Sequence, residues 1–267
     1  MSLDLAVTLS SVLVCVGVAV SCAEELVGYS VYRSDGLLAW RVVRLRSRHL
    51  VSGPLAQIAE HVYGGRIHRG LLMATAISAT ATIAASLGGA NPALYLLTTL
   101  LGVVIITSRS YYGMDGARQL TVVVLVGLLL AATAPAGTVV SQIALGFVAA
   151  QLVLSYTVSG TAKLVSSQWR SGTAIVGILS TSTYGNPSLH RFLRSHRRIA
   201  VSLCLGTIAF EAGFVLIVIA SISTPLLLIP LGVIFHGSIA LTMGLNNFFW
   251  AFTAAYPPLV FVLSQLF

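Results

Sequence analysis

Eight apolar runs, separated by short polar or arginine-rich stretches, organise this chain of 267 residues. They cover about 5–23, 70–88, 92–107, 120–136, 138–158, 199–222, 225–244 and 247–265. A helix needs about 20 predominantly apolar residues to cross the hydrocarbon core of a bilayer, so each run predicts a spanning helix. The third is short, and "YPP" in the last predicts a kinked or interfacial end there. A further apolar piece, 173–182, is too short to cross and reads as a re-entrant or interfacial segment. The predicted fold is all-α: a polytopic transmembrane helical bundle of about eight spans plus one short re-entrant or interfacial helix, forming a single membrane domain over 1–267.

Composition agrees with the pattern. Hydrophobic residues make up 57% of the chain and charged residues 8%, whereas a soluble domain carries about 25% charged residues. The net charge of +8 therefore points to the lipid bilayer as partner and not to nucleic acid, because loop arginines in a membrane protein set orientation and meet anionic headgroups. Basic residues fall in 24–69, 108–119 and 159–198, and none falls in the alternate connections. With eight spans, all of them lie on one side. The positive-inside rule makes that side cytoplasmic, puts both termini outside, and implies an integral protein of a bacterial plasma membrane.

Within 24–69, "LLAWRVVRLRSRHLV" interleaves apolar residues and Arg at helical spacing. It predicts an amphipathic helix on the inner leaflet, either binding lipid or a partner, or only orienting the chain. Cys15, Cys22 and Cys204 lie in or at the ends of apolar runs, without zinc-type spacing, so they read as packing residues and no metal is expected. No basic residue precedes the first run, which argues against a signal peptide.

Ionisable groups inside the membrane are expensive and tend to mark function. Glu211 and His236 sit at the middles of two runs joined by a short linker. In a helical hairpin they reach nearly the same depth, which predicts a Glu–His pair serving as a proton relay, as an acid and base, or as an interhelical hydrogen bond that fixes packing. Asp115, in the polar loop "RSYYGMDGARQL", is a candidate partner for Arg109 or Arg118, or simply a turn residue. Lys163 is the one lysine among 15 basic residues and follows the fifth run by a few positions. It reads either as a lysine snorkelling at the interface or as a desolvated base, a role open to an amine and closed to a guanidinium.

"GTAKLVSSQWRSG" resembles the G-x-x-K-L-…-W-x-x-G stretch of the horizontally transferred transmembrane (HTTM) superfamily, which includes the vitamin K-dependent gamma-carboxylases and the sporulation-delaying protein B. "FHGSIALTMGLNNFFWAFTAAYPPL", with His236, Phe248 and Pro257, looks like a second shared stretch, and "RSYYGMDGARQ" resembles a third. The resemblance runs from about residue 70 to the end. It implies that Lys163 is the base that deprotonates vitamin K hydroquinone or menaquinol, with His236, Glu211 and Asp115 as further catalytic candidates and Trp169, Arg109 and Tyr112 as substrate-binding candidates. Where this chain has Asp115 the carboxylases carry a histidine, and this chain ends with the membrane unit.

Three functions are compatible with these residues. One is quinone-linked oxidation or carboxylation of a peptide or lipophilic substrate. A second is a non-catalytic accessory for maturation or export of a secreted peptide toxin. The third is a proton-coupled transporter or immunity protein using Glu211 and His236, although no broken-helix repeat of the transporter kind is visible.

Overall fold

The computed structural model describes residues 1–33, 35–46, 54–64, 66–109, 115–135, 137–219 and 224–266. Among them it is all helix and turn, with no strand. The long helices are α1 (Leu3–Val27), α4 (Arg66–Leu87), α5 (Ala93–Ser108), α6 (Gly116–Thr133), α7 (Val139–Val165), α11 (Arg197–Gly213), α13 (Thr224–Met243) and α14 (Asn246–Leu266). Short helices α2 (Trp40–Val43) and α3 (Pro54–Tyr63) follow α1. Between α7 and α11 lie α8 (Ser167–Arg170), α9 (Thr173–Leu179) and α10 (Pro187–Ser195), and α12 (Leu216–Ile219) follows α11.

Over the described residues each of the eight predicted runs is helical, and among those residues five helices are long and apolar enough to cross a membrane: α1, α4 from Ile67, α6, α7 and α14. The helices Ala93–Ser108 and Leu227–Met243 are apolar but shorter. The run 199–222 departs from expectation. It breaks after Gly213, where the Phe214 amide bonds back only three residues to Glu211 at 3.3 Å, and resumes as the four-residue α12. The predicted 37–51 helix is also revised over its described part. Residues 40–43 form α2, Arg44–Arg46 a 3₁₀ turn, and Trp40 and Val43 are buried instead of facing a leaflet. Positions 47–51 lie outside the described residues. The 173–182 segment is the seven-residue α9.

One helix runs further than the hydropathy pattern indicates, and another passes through its prolines as a single helix. α7 continues past residue 158 to Val165, so Lys163 stands in its last turn and not in a loop. Polar residues there do not end the helix because their hydroxyls turn inward: Ser155, Thr157 and Thr161 each donate to the carbonyl four residues back, at 2.7, 2.8 and 2.7 Å. α14 likewise passes through Pro257 and Pro258 unbroken, with both prolines buried. Pro258 has no N–H for the carbonyl of Ala254, four residues back. Ser10 of α1 replaces that donor, its hydroxyl reaching the Ala254 oxygen at 2.6 Å. The bond is buried on both sides and comes from the helix that packs antiparallel along α14.

α1 packs between α4 and α14, while α7 touches α6, α11 and α14. α7 and α11 approach so closely at Gly160 that a Cβ there would overlap the backbone of Glu211 and Ala212. This contact sets the height at which α11 presents Glu211 to α7.

Ser10→Ala is expected to cost about 1 kcal/mol of stability, the size of one intramembrane hydrogen bond, measured by thermal unfolding in mild detergent. In a Pro258→Ala background the same change should cost clearly less, since residue 258 then supplies its own amide. Equal costs in both backgrounds would refute the substitution of one donor for the other.

Candidate functional site

A cavity of about 560 Å³ lies among α7, α11, α13 and α14 and is capped by α8 to α10. Its walls are mostly apolar and aromatic, and its polar lining includes Ser159, Lys163, Glu211, His236 and Trp169. α7 delivers Tyr156, Ser159 and Lys163 to it at positions i, i+3 and i+7, one face of a helix. α11 brings Glu211, α13 brings His236, and the short α8 turns Trp169 back over the opening.

Lys163 and Glu211 form the site's charged centre. Lys163 Nζ lies 2.5 Å from Glu211 Oε2 and 2.5 Å from Ser159 Oγ, and 5.1 Å from the centre of the Trp169 ring. The Glu211 side chain is 8% exposed and that of Lys163 18%. Removed from water this far, neither charge is tolerable alone. Together they carry no net charge, whether the shared proton rests on nitrogen or on oxygen.

A second polar unit runs deeper. His236 Nε2 meets the Tyr156 hydroxyl at 2.8 Å, and that hydroxyl meets the Tyr256 hydroxyl at 2.6 Å. The His236 ring stacks on Phe252, with centroids 4.1 Å apart, and Tyr156 stacks on Phe214 at 4.1 Å. These contacts hold the imidazole plane. His236 Nδ1 is buried with no hydrogen-bond partner, although His236 lines the cavity. Neutral His236 can donate from Nε2 to Tyr156, which leaves Nδ1 an acceptor, or accept there from Tyr156, which leaves Nδ1 a donor, and the Tyr156–Tyr256 bond reverses its direction to match.

Lys163, Glu211, His236 and Trp169 thus share one cavity. The predicted Glu–His pair does not form: Glu211 bonds to Lys163, and His236 bonds to Tyr156. Glu211 and His236 do line one cavity, but the carboxylate is turned to α7. Asp115 stands elsewhere as the N-cap of α6, accepting the Arg118 amide at 2.7 Å. It pairs with neither arginine side chain, since Arg118 binds Glu25 at 3.1 Å and Arg109 donates to the Leu38 carbonyl at 2.8 Å. Arg109 does not line the cavity. Tyr112 lies outside the described residues. Tyr156, Tyr256 and Ser159 went unnoticed in the sequence because neutral hydroxyls in an apolar run read as packing. The signal available was the seven-residue spacing from Tyr156 to Lys163, two helical turns on one face. No metal-holding group of His, Cys, Asp or Glu occurs among the described residues. No family model, curated protein or solved structure matches the chain.

Breaking the pair on one side should be worse than removing it. Glu211→Gln is expected to lower stability by about 3 kcal/mol, because it leaves the Lys163 ammonium buried without its counter-charge. Lys163→Met combined with Glu211→Met should recover most of that loss in thermal unfolding. A double variant as unstable as the sum of the singles would show that the pair is not an isolated buried unit.

Proposed function

We propose that this chain is a membrane enzyme of the quinone-linked, carboxylase-like kind, in which Lys163 and Glu211 move a proton at a lipid-soluble ring substrate. The observation that carries the reading is the meeting of a buried ion pair and an unanswered imidazole nitrogen in one mostly apolar cavity. An apolar cavity of about 560 Å³ suits a small lipophile. His236 Nδ1, buried and unpartnered, suits a ligand oxygen, whether as donor or acceptor.

The chemistry assigned to each residue follows from this geometry. Within the pair, the proton passes from Nζ to Oε2 across 2.5 Å without changing the charge of the cavity. Glu211 thereby holds the proton while Lys163 presents a neutral amine, and Ser159 keeps the nitrogen aimed. Nζ then takes the hydroxyl proton of the substrate. His236 binds a ring oxygen through Nδ1 and draws on Tyr156 and Tyr256 to adjust its tautomer. Trp169 covers the pair and excludes water. Vitamin K hydroquinone or menaquinol, when bound, supplies the reducing electrons and the reaction with oxygen. A peptide or lipophilic substrate that gives up a proton to the resulting base is part of the same proposal.

The test supplies the full chain in mild detergent with reduced menaquinone and oxygen, and follows epoxide and water formation by mass spectrometry. The chain should form epoxide. Lys163→Arg, which keeps the charge and the ion pair but cannot give up its proton, should lose at least about 100-fold in rate, within the usual contribution of a general base, with an unchanged melting temperature. Full turnover in Lys163→Arg overturns the reading, as does absence of epoxide together with absence of any copurifying quinone.

A further inference from the structure

A second cluster lies apart from the cavity, where α1 and α5 end and α4 begins. The 3₁₀ turn Tyr29–Tyr32 follows α1, α2 contributes Trp40, α3 contributes Tyr63, and the first turn of α4 contributes His68. The His68 ring is enclosed by Tyr32, Tyr29 and Tyr63, with centroids at 5.5, 6.1 and 6.4 Å. Trp40 packs on Tyr63 at 4.7 Å, and the Arg109 guanidinium lies over the Tyr32 ring at 4.5 Å. Tyr63 is pinned to the end of α5 by its hydroxyl, 3.0 Å from the Ile105 carbonyl and 2.8 Å from Ser108 Oγ.

The interior of this cluster is deficient in acceptors. Trp40 Nε1, Arg109 Nε and both ring nitrogens of His68 are buried and have no hydrogen-bond partner. The residues are 3%, 5% and 1% exposed, in the order Trp40, Arg109, His68. A native interior leaves very few such groups, and each costs about 1–3 kcal/mol. Arg109 also forms no ion pair within 4.0 Å among the described residues, and Glu25, whose charge reaches it, is bonded to Arg118. All seven Asp and Glu residues are among the described positions, and the ion pairs within 4.0 Å are Arg44–Glu60, Arg118–Glu25 and Lys163–Glu211. Burial accordingly pushes the Arg109 guanidinium below its usual range, with Tyr32, Tyr29 and Glu25 opposing the shift. A buried charge without a partner is among the costliest arrangements in a folded chain.

We infer that Trp40, His68 and Arg109 form a site for a phosphate group. Indole and guanidinium nitrogens donate and never accept, so the missing partner is an acceptor, and the unpaired arginine requires it to be an anion. Donors arriving from three separate elements, α2, α4 and the end of α5, fit a tetrahedral oxyanion better than a planar carboxylate. Neutral His68 offers one donor and one acceptor, so the best match is a phosphate that retains one O–H, as inorganic phosphate and a phosphomonoester headgroup both do. The segments that build the cluster also carry Arg33, Arg41, Arg44, Arg66 and Arg69, and loop arginines of a membrane protein meet anionic headgroups. None of these residues lines the Lys163 cavity.

The experiment measures the melting midpoint of the full chain at constant ionic strength. One arm adds inorganic phosphate to the protein in detergent. The other compares nanodiscs of phosphatidylcholine with nanodiscs that also contain phosphatidic acid. A saturable rise with inorganic phosphate identifies free phosphate as the source, and a rise only with phosphatidic acid identifies the headgroup. No rise in either arm overturns the inference. Arg109→Gln should weaken the effective affinity about tenfold or more, as expected for a charge-assisted contact. Trp40→Phe, which keeps the ring packing and removes only the donor, should weaken it severalfold and decides the matter if Arg109→Gln does not fold. Undiminished binding in Trp40→Phe, or an equal loss in the exposed control Arg191→Gln, overturns the site.

Discussion

A hydrogen-bonding group inside a hydrocarbon slab has only the protein to answer it. Much of this fold is arranged around that constraint. The hydroxyls of α7 close on their own helix, which lets a polar stretch remain helical as far as Lys163. Pro258 leaves the Ala254 carbonyl without its amide, and Ser10 answers from the neighbouring helix. Lys163 and Glu211 answer each other, and the Tyr156 hydroxyl answers both His236 and Tyr256. Where two helices must come close enough for these bonds, as at Gly160, the side chain is reduced to a hydrogen.

Seen this way, the informative places are those where the constraint is broken. Eight buried side-chain atoms lack a partner among the described residues. One is His236 Nδ1, on the wall of the cavity, and four are the nitrogens of Trp40, His68 and Arg109. The first is the nitrogen to which the proposed function assigns a ligand oxygen. The other four include the donors Trp40 Nε1 and Arg109 Nε, on an arginine that forms no ion pair within 4.0 Å, which is the basis of the proposed anion site. The two places therefore ask for different chemistry.

The helices were legible in the sequence because hydropathy averaged over about 20 residues is insensitive to detail. The membership of the cavity was partly legible for a similar reason: a lysine, a glutamate and a histidine stand out against so apolar a background. What could not be read was pairing. Whether Glu211 meets His236 or Lys163 depends on the rotation of α11, and that rotation is set by the close contact at Gly160, a packing fact with no local signature. The hydropathy pattern ends α7 too early because hydroxyls that bond their own helix count as polar there, whereas the prolines of α14 leave its predicted extent unchanged. Asp115 shows the opposite limit, since "MDG" contains both a turn residue and a carboxylate, and only the fold makes it an N-cap.

Charge accounting explains why the cavity and the arginine cluster need not compete for a ligand. The cavity contains a lysine but no net charge, because Glu211 cancels it at 2.5 Å. An anion entering there would face the carboxylate as well as the ammonium and would lose its water in an apolar chamber, so the cavity favours a neutral lipophile that can lose or gain a proton in place. Around Arg109 the balance differs: the guanidinium forms no ion pair within 4.0 Å, lies over the Tyr32 ring, and Trp40 Nε1 and Arg109 Nε are buried without an acceptor. A neutral lipophile gains little there, whereas an oxyanion relieves a buried charge and several unmet donors in a single contact. In the two proposals, then, what separates the sites is whether a carboxylate bonds directly to the cation: Glu211 bonds to Lys163, whereas Glu25 bonds to Arg118 and not to Arg109.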